Sequence, residues 1–466
     1  MSFNSLVFLI FLPIVYLLYL ALNRKWEWQN LLLVAASQYF YGWWDWRFLS
    51  LLWASSILDF SVGLALEGTL NPRMRRLYLA LSLGGNLGIL ALFKYYDFFI
   101  GSARNLAHSL GMTCNLETLD LILPMGISFY TFQTLSYSLD VYKRAMPACR
   151  RFTDFLLFVS YFPQLVAGPI EKARDLLPQL QARRQPTVEQ FSDGARLMLW
   201  GYFKKIVVAD NLAPYVGSAF ENPAAGGGHL IMASLAFSFQ LYGDFSGYSD
   251  IARGISRMFG IELTRNFERP FFSPNLVEFW RRWHVTLTGW FREFVYIPLG
   301  GNKRGPTRAR LNLLATFLCS GLWHGANWTF VVWGLFNGLI CAFSKRRLRM
   351  SGSFRALAGA LITTGLFSVS MVFFRAHDMA HGWAIFSSMG HFLVNPQVTM
   401  DPALATLILW VALMLAAEYF QGRRDHPMAI AHLPAPSRWT LEYGLLMVCV
   451  IWGQFTAPAT FIYFQF

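Results

Sequence analysis

Two histidines lie in strongly apolar stretches of the sequence that are rich in aromatic residues. His284 follows two arginines in Arg281-Arg-Trp-His284, and His324 lies between Trp323 and Gly325. An imidazole among apolar helices costs free energy unless it is hydrogen-bonded or faces a wet cavity. A neutral imidazole can also take a proton from an attacking hydroxyl group. A satisfied core histidine is the alternative for either residue alone, but two histidines in such matched settings favour chemistry.

The elements that carry these histidines are predicted to be helices. Residues 275–290 alternate charged and aromatic residues at helical spacing, which predicts one amphipathic helix with His284 on it. Such a helix lies at a membrane interface or lines a funnel. His324 follows a hydrophobic segment and is predicted at a helix end, where Gly325 would let a substrate approach the backbone.

The composition places these helices in a membrane. Of the 466 residues, 55% are hydrophobic and only 14% are charged, which is too apolar for an ordinary soluble protein. Segments of about 20 apolar residues, long enough to span a bilayer, recur along the chain. The clear hydrophobic segments are 3–22, 49–66, 77–99, 119–139, 152–166, 230–242, 311–322, 328–343, 356–374, 404–420 and 441–455. We therefore predict an all-α, polytopic membrane protein that forms one integral domain over residues 1–466.

The middle of the chain differs from its two ends. Between residues 119 and 343, polar side chains crowd into apolar sequence, and Pro and Gly interrupt several segments. Broken helices and polar groups at membrane depth are typical of a water-accessible site. We expect the catalytic core in 119–343 and further hydrophobic helices in 344–466.

The charges indicate membrane topology and do not suggest nucleic-acid binding. There are 39 Lys and Arg against 26 Asp and Glu, a net charge of +13, and the basic residues cluster in the connections, which the positive-inside rule assigns to the cytoplasm. The five cysteines have no paired spacing and the histidines no metal-ligand spacing, so we predict neither a disulfide framework nor a metal site. The first hydrophobic segment lacks a cleavage signal and is expected to be an uncleaved anchor.

A polar cluster at residues 242–250 is a candidate ligand site. The run Tyr-Gly-Asp-Phe-Ser-Gly-Tyr-Ser-Asp would suit a hydroxyl-bearing or cationic ligand. The alternative is a polar helix end packed against Arg253 and Arg257. The predicted substrate-binding residues are Asp244, Ser246, Tyr248, Trp323 and Asn327.

Four motifs in this region resemble the signature blocks of a known family. They are Asn266-Phe-Glu-Arg-Pro270, Glu278-Phe-Trp-Arg-Arg-Trp-His284, Tyr296-Ile-Pro-Leu-Gly-Gly301 and Gly321-Leu-Trp-His-Gly-Ala-Asn-Trp328. The chain resembles the membrane-bound O-acyltransferases, in particular the bacterial branch that modifies alginate, cellulose, peptidoglycan or teichoic acid. The resemblance implies a ring of tilted, partly broken helices around a central funnel. His324 matches the invariant family histidine, and His284 matches a second, more variable position.

The resemblance implies transfer of acetyl groups from cytoplasmic acetyl-CoA across the bacterial inner membrane. The acceptor would be an exported polysaccharide, reached through a periplasmic acetyltransferase partner. His324 is then the general base and His284 orients the acyl carbonyl or stabilises its oxyanion, or the two roles are reversed. Arginines suit the phosphates of coenzyme A, although topology and anionic lipid also explain basic residues. The expected donor-binding residues are Arg281, Arg282, Arg292, Lys303 and Arg304.

Two other functions remain open. One is D-alanyl transfer to teichoic acid by the same family, and the other is a transporter or flippase whose histidines relay protons. No Gly-x-Ser-x-Gly motif is present, which disfavours a serine nucleophile. The last residues, Phe461-Ile-Tyr-Phe-Gln-Phe466, resemble the C-terminal motif of a small companion peptide of the D-alanylation system. Tyr463 is therefore predicted to be a covalent acyl relay, with an aromatic membrane anchor as the alternative.

Overall fold

The architecture is that of a polytopic helical membrane protein. A computed structural model describes residues 1–113, 115–344, 353–395, 403–422, 424–455 and 461–464, and this part of the chain contains helices and no strand. Four stretches are long and apolar enough to cross a membrane, namely Trp26–Gly68, Pro72–Ser109, Phe354–Arg375 and Leu404–Gln421. Two shorter apolar helices are Leu6–Ala21 and Trp328–Phe343. The predicted all-α membrane class is confirmed.

The contacts divide the chain into two compact units. The first comprises residues 1–191 and 255–264, and the second comprises residues 192–254 and 265–466. The helices of the first unit are α1 (Leu6–Ala21), α2 (Trp26–Asp45), α3 (Leu49–Gly68), α4 (Pro72–Leu90), α5 (Tyr96–Ser109), α6 (Ile127–Tyr142), α7 (Phe152–Ser160) and α8 (Ala173–Leu180). Helices α9 (Val188–Tyr202), α10 (Asp210–Glu221) and α11 (Gly227–Met258) follow, and α9 and α11 contribute residues to both units.

The second unit carries both histidines of interest. Its remaining helices are α12 (Leu276–Arg282), α13 (Val285–Phe291), α14 (Gly305–His324), α15 (Trp328–Phe343), α16 (Ser353–Arg375), α17 (Met379–Val394), α18 (Ala403–Gln421) and α19 (Ala435–Trp452). Two π-helical segments, Phe203–Ala209 and Arg292–Tyr296, and three short turns of 3-10 helix, Pro223–Ala225, Pro270–Phe272 and Ile462–Phe464, complete it.

Several predicted segments have different bounds in the structure. The segment predicted over 119–139 becomes helical only at Ile127, because Gly126 before it has a left-handed φ of 73°. The segment predicted over 152–166 ends as a helix at Ser160, three residues before Pro163. Helix α2 was not among the predicted segments.

The polarity of α2 explains why its sequence did not stand out. Gln29 and Asn30 are buried on it, and the Asn30 amide donates to the Asp154 carboxylate at 3.0 Å. Ser37 is also buried and donates to the Leu33 carbonyl. These side chains lower the local hydropathy, while their hydrogen bonds remove the cost of burying them.

Close packing of α14 and α15 fixes the position of His324. A Cβ atom on Gly321 would lie 2.3 Å from the Phe330 carbonyl oxygen, and one on Gly334 would lie 2.5 Å from the Phe317 carbonyl oxygen. Only glycine permits this approach of two backbones. Asn327 begins α15, where its side-chain oxygen accepts from the Thr329 N–H at 3.1 Å. The two helices therefore form a tight hairpin with His324 at its bend.

Candidate active site

His284 lies at a break between two short helices. The continuous helix predicted over 275–290 is wrong, because α12 ends at Arg282 and α13 begins at Val285. His284 between them has φ 45° and ψ 55°, a left-handed conformation that is uncommon outside glycine. The side chain is buried, with only 1% of its surface exposed. A strained backbone at a buried histidine indicates a position held for function.

Asn266 holds this conformation with both its backbone and its side chain. Its carbonyl accepts from the Val285 N–H at 2.9 Å. Its Oδ1 atom lies 3.0 Å from His284 Nδ1 and accepts from the Thr286 hydroxyl at 3.0 Å. The amide nitrogen of Asn266 donates to Ser249 at 3.3 Å, so the oxygen faces the two donors. His284 therefore carries its proton on Nδ1 and presents Nε2 as a hydrogen-bond acceptor.

Burial keeps the His284 imidazole neutral. His284 lies outside the six apolar helices, and its desolvation lowers its pKa from 6.5 to about 3. The ring packs against Phe245 with a centroid distance of 4.6 Å and an interplanar angle of 85°. A neutral ring with one unprotonated nitrogen is the form that can accept a proton.

His324 ends α14 in an aromatic enclosure. Its ring centroid lies 5.0 Å from Trp323, 5.0 Å from Trp333 and 5.3 Å from Phe374. The expectation that Gly325 opens the backbone to a substrate is wrong, because a Cβ there would lie 2.1 Å from the Phe330 ring. The glycine makes room for that ring. His324 is 5% exposed.

Tyr463 lies beside His324 and shares the neighbours Phe245 and Trp323 with His284. Its ring centroid lies 5.7 Å from His324, 6.4 Å from Trp323 and 4.7 Å from Phe245. Trp323 also lies 6.1 Å from His284. Burial raises the pKa of the Tyr463 hydroxyl above its usual value, so an adjacent base is needed to ionise it. Gln465 and Phe466 of the predicted terminal motif lie outside the described residues.

The predicted substrate-binding residues have diverse surroundings. Asp244 forms an ion pair with Lys205 and accepts the backbone N–H of Ile462. The Tyr248 ring packs against Phe461 with a centroid distance of 4.9 Å. Ser246 is buried on α11. Trp323 lies among the rings of the site. Asn327 uses its amide to cap α15 and to donate to the His377 carbonyl at 2.7 Å.

The predicted donor-binding residues lie on the same stretch of the chain at its surface. Arg281 is exposed and forms an ion pair with Glu278 at 2.6 Å. Arg282 is half-buried and donates to the Phe272 carbonyl at 3.4 Å. Arg292, Lys303 and Arg304 are exposed. Arg281 and Arg282 end α12, two to three residues before the buried His284.

Sequence reasoning did not assign roles to Asn266 or Phe245. Asn266 begins the Asn-Phe-Glu-Arg-Pro motif, and its place in that motif was the available signal. Phe245 lies inside the polar cluster at 242–250, where its apolar character separated it from the expected ligand residues. For metals, the described ranges contain no group of three or more His, Cys, Asp or Glu side chains positioned to hold an ion.

Comparisons with known proteins find similarity to membrane acyltransferases. A family model described as MBOAT, membrane-bound O-acyltransferase family, matches residues 150–375. A probable alginate O-acetylase of Azotobacter vinelandii is 38% identical over 396 residues, which cover 84% of this chain and 78% of that protein. A peptidoglycan O-acetyltransferase of Helicobacter pylori is 36% identical over 83% of this chain and 79% of that protein.

A more distant relative has another substrate in its name. A teichoic acid D-alanyltransferase of Streptococcus thermophilus is 28% identical over 48% of this chain and 57% of that protein. Together the matches define a polytopic membrane acyltransferase. The chain belongs to the membrane-bound O-acyltransferase family.

Proposed function

We propose that this protein transfers acetyl groups from cytoplasmic acetyl-CoA across the bacterial inner membrane, for O-acetylation of an exported polysaccharide. The names of the relatives that match most of the chain support acetyl transfer to such polymers. The single observation that carries the proposal is the convergence of His284, His324 and Tyr463 around Trp323. A periplasmic acetyltransferase is the proposed partner that delivers the group to the polymer.

The proposed chemistry has two transfers through Tyr463. In the first, the Tyr463 oxygen attacks the thioester carbonyl, an imidazole takes the phenolic proton, and the carbon–sulfur bond breaks. The thiolate leaves with that proton as the coenzyme A thiol, and Tyr463 carries an acetyl ester. In the second, an acceptor hydroxyl attacks this ester and the tyrosine regains its proton.

The hydrogen bond from His284 to Asn266 bears on which histidine is the base. An oxyanion-stabilising group must donate, but neutral His284 offers an acceptor at Nε2. This favours His284 as the base and His324 as its partner, the reverse of the first assignment. Trp333 is a further donor, because its buried indole N–H, beside His324, has no acceptor among the described residues.

Incubation of the purified protein in lipid vesicles with radiolabelled acetyl-CoA tests the proposal. We expect acetyl label on the peptide that contains Tyr463, and none in Tyr463→Phe, which keeps the ring and removes the oxygen. Tyr443→Phe is the matched control, because Tyr443 is 63% exposed on α19. Full polysaccharide acetylation by Tyr463→Phe in cells would exclude the relay.

The D-alanylation alternative rests on the more distant relative. It predicts labelling by a D-alanyl carrier protein in place of acetyl-CoA under the same conditions. A transporter would move substrate into vesicles without consuming any thioester. Thioester consumption that depends on His324 therefore separates an acyltransferase from a transporter, and the choice of donor separates the two acyl groups.

A further inference from the structure

The carboxylate of Asp244 contacts both Lys205 and the C-terminal segment, defined as residues 461–464. One oxygen, Oδ2, accepts the buried backbone N–H of Ile462 at 2.8 Å. The other oxygen lies 2.7 Å from Lys205 Nζ. Asp244 is 3% exposed and Ile462 is 2% exposed. Because a buried N–H needs an acceptor, this contact fixes where the segment enters the site.

Lys205 reaches Asp244 because two backbones approach closely. Lys205 lies on the π-helical segment Phe203–Ala209, a rare geometry that is frequent at functional sites. A Cβ on Gly247 of α11 would lie 2.7 Å from the Gly201 carbonyl oxygen, and one on Gly243 would lie 2.9 Å from the Lys204 carbonyl oxygen. These glycines bring the end of α9 and the start of the π-helical segment against α11 on either side of Asp244.

Lys205 also contacts a second carboxylate. Its Nζ atom lies 2.8 Å from Asp210 Oδ1, and Asp210 and Asp244 together raise the pKa of Lys205 against the opposing effect of burial. Burial raises the pKa of Asp210 to about 7. The single lysine is therefore shared by two acids. Only Asp244 of the two bonds to the C-terminal segment, so Asp210 is a control within the same cluster.

The position of the segment decides where Tyr463 lies. The Phe461 ring packs against Tyr248 with a centroid distance of 4.9 Å, and Ile462 is fixed by Asp244. Tyr463 follows directly and packs on Phe245 at 4.7 Å, close to His324. The aromatic contacts are adjustable by sliding, whereas the hydrogen bond to Asp244 sets one register.

We propose that Asp244, held by Lys205, is a positioning residue that fixes the C-terminal segment so that the Tyr463 hydroxyl faces the histidines. The proposal rests on the acyl relay proposed above. It replaces the expectation that Asp244 binds the substrate. In this role Asp244 acts through the backbone of Ile462.

Two pairs of variants test this role from opposite sides of the hydrogen bond. Asp244→Leu removes the acceptor at similar volume, while Asp210→Asn leaves it in place. Ile462→Pro removes the N–H without altering the ion cluster, while Ile462→Ala keeps the N–H. Acetyl label on Tyr463 from acetyl-CoA is measured for each protein, with the melting temperature in detergent as the check on folding.

We expect Asp244→Leu and Ile462→Pro to lower the rate of Tyr463 labelling by about 10²-fold, the loss typical of a misplaced reactive group. Asp210→Asn and Ile462→Ala should label at rates close to that of the unaltered protein. A second readout does not depend on catalysis. A cysteine at position 462 should react with maleimide faster when combined with Asp244→Leu than with Asp210→Asn, as measured on its own peptide.

The outcomes are distinguishable from failure of the relay itself. Loss of labelling in Tyr463→Phe together with normal labelling in both Asp244→Leu and Ile462→Pro would overturn the positioning role and leave the relay intact. Equal maleimide reactivity at position 462 with and without the Asp244 carboxylate would also overturn it. If Asp244→Leu does not fold, the comparison of Ile462→Pro with Ile462→Ala decides the question alone.

Discussion

The Nδ1 atom of His284 and the Oδ1 atom of Asn266 lie 3.0 Å apart in a buried site. This contact fixes the tautomer of the imidazole and holds a backbone that the residue type disfavours. In many catalytic histidines a carboxylate accepts a hydrogen bond from the ring and orients it. Asn266 has this role for His284.

Replacement of Asn266 tests this orientation. Asn266→Leu should lower acetyl transfer by about 10²-fold, because a positioned base commonly contributes 10²- to 10⁴-fold. Asn266→Asp keeps an acceptor for the Nδ1 proton and should retain much more activity. The rate of Tyr463 labelling measures both variants. Unchanged labelling in both variants would show that Asn266 acts only through its backbone carbonyl, which accepts from the Val285 N–H.

Loss of His324 should affect chemistry and not folding. His324→Ala is expected to insert and purify normally while acetyl transfer falls by about 10²- to 10⁴-fold. His432→Ala is the control, because His432 is exposed. His284→Asn separates the two histidine roles, since an asparagine can donate a hydrogen bond but cannot act as a base. Near-normal turnover by His284→Asn would restore the first assignment, with His324 as the base.

The arginines that end α12 should affect binding of the acetyl donor more than the rate of the chemical step. Arg281→Gln with Arg282→Gln is expected to raise the KM for acetyl-CoA and leave kcat nearly unchanged. Arg73→Gln with Arg76→Gln removes two exposed arginines near the start of α4 and serves as the control. Arg281 is paired with Glu278, so Glu278→Gln measures the loss of that ion pair separately. An unchanged KM together with altered membrane insertion would identify a topological role.

Burial of His284 predicts a specific acid sensitivity. Its pKa is lowered in the folded state to about 3 from 6.5, so the unfolded chain binds more protons between those values. The stability that neutral His284 contributes is complete above pH 6.5 and is lost as the pH falls through this window, by up to about 1.4 kcal/mol per pH unit. His284→Gln cannot titrate, so its melting temperature in detergent should fall less on acidification than that of the unaltered protein. If the melting temperatures of the two proteins fall equally on acidification, water reaches the His284 ring.

Close packing in the α14–α15 hairpin predicts that alanine substitutions at two glycines have very different effects on protein stability. Gly334→Ala places a methyl group 2.5 Å from a backbone oxygen and should destabilise the protein by about 1–3 kcal/mol. Gly365→Ala on α16 has no atom within 4 Å and should be neutral or slightly stabilising. Thermal unfolding in detergent compares the two variants. Similar melting temperatures would indicate that the hairpin opens without cost.

The sequence predicted the fold class and the region of the site, because apolar segments and signature motifs are local features. Trp328–Phe343 has the bounds predicted for it. The break at His284 could not be predicted, since no residue type there requires a left-handed backbone and Asn266 stabilises it from another segment. The contact between Asp244 and Ile462 spans 218 residues, beyond the reach of any spacing rule. The polar side chain of Asp244 led to its prediction as a ligand-binding residue. In the fold, its carboxylate accepts a hydrogen bond from the backbone of Ile462 in the same chain.

The left-handed backbone at His284 also affects how saturation mutagenesis of this position should be interpreted. Glycine, asparagine and aspartate adopt that conformation at low cost, whereas valine and isoleucine do not. Protein yield across the twenty variants should therefore follow backbone preference, and turnover per folded molecule should follow the side-chain nitrogen. A screen that records only total polymer acetylation would merge these two rankings and would count misfolded β-branched variants as evidence for catalysis.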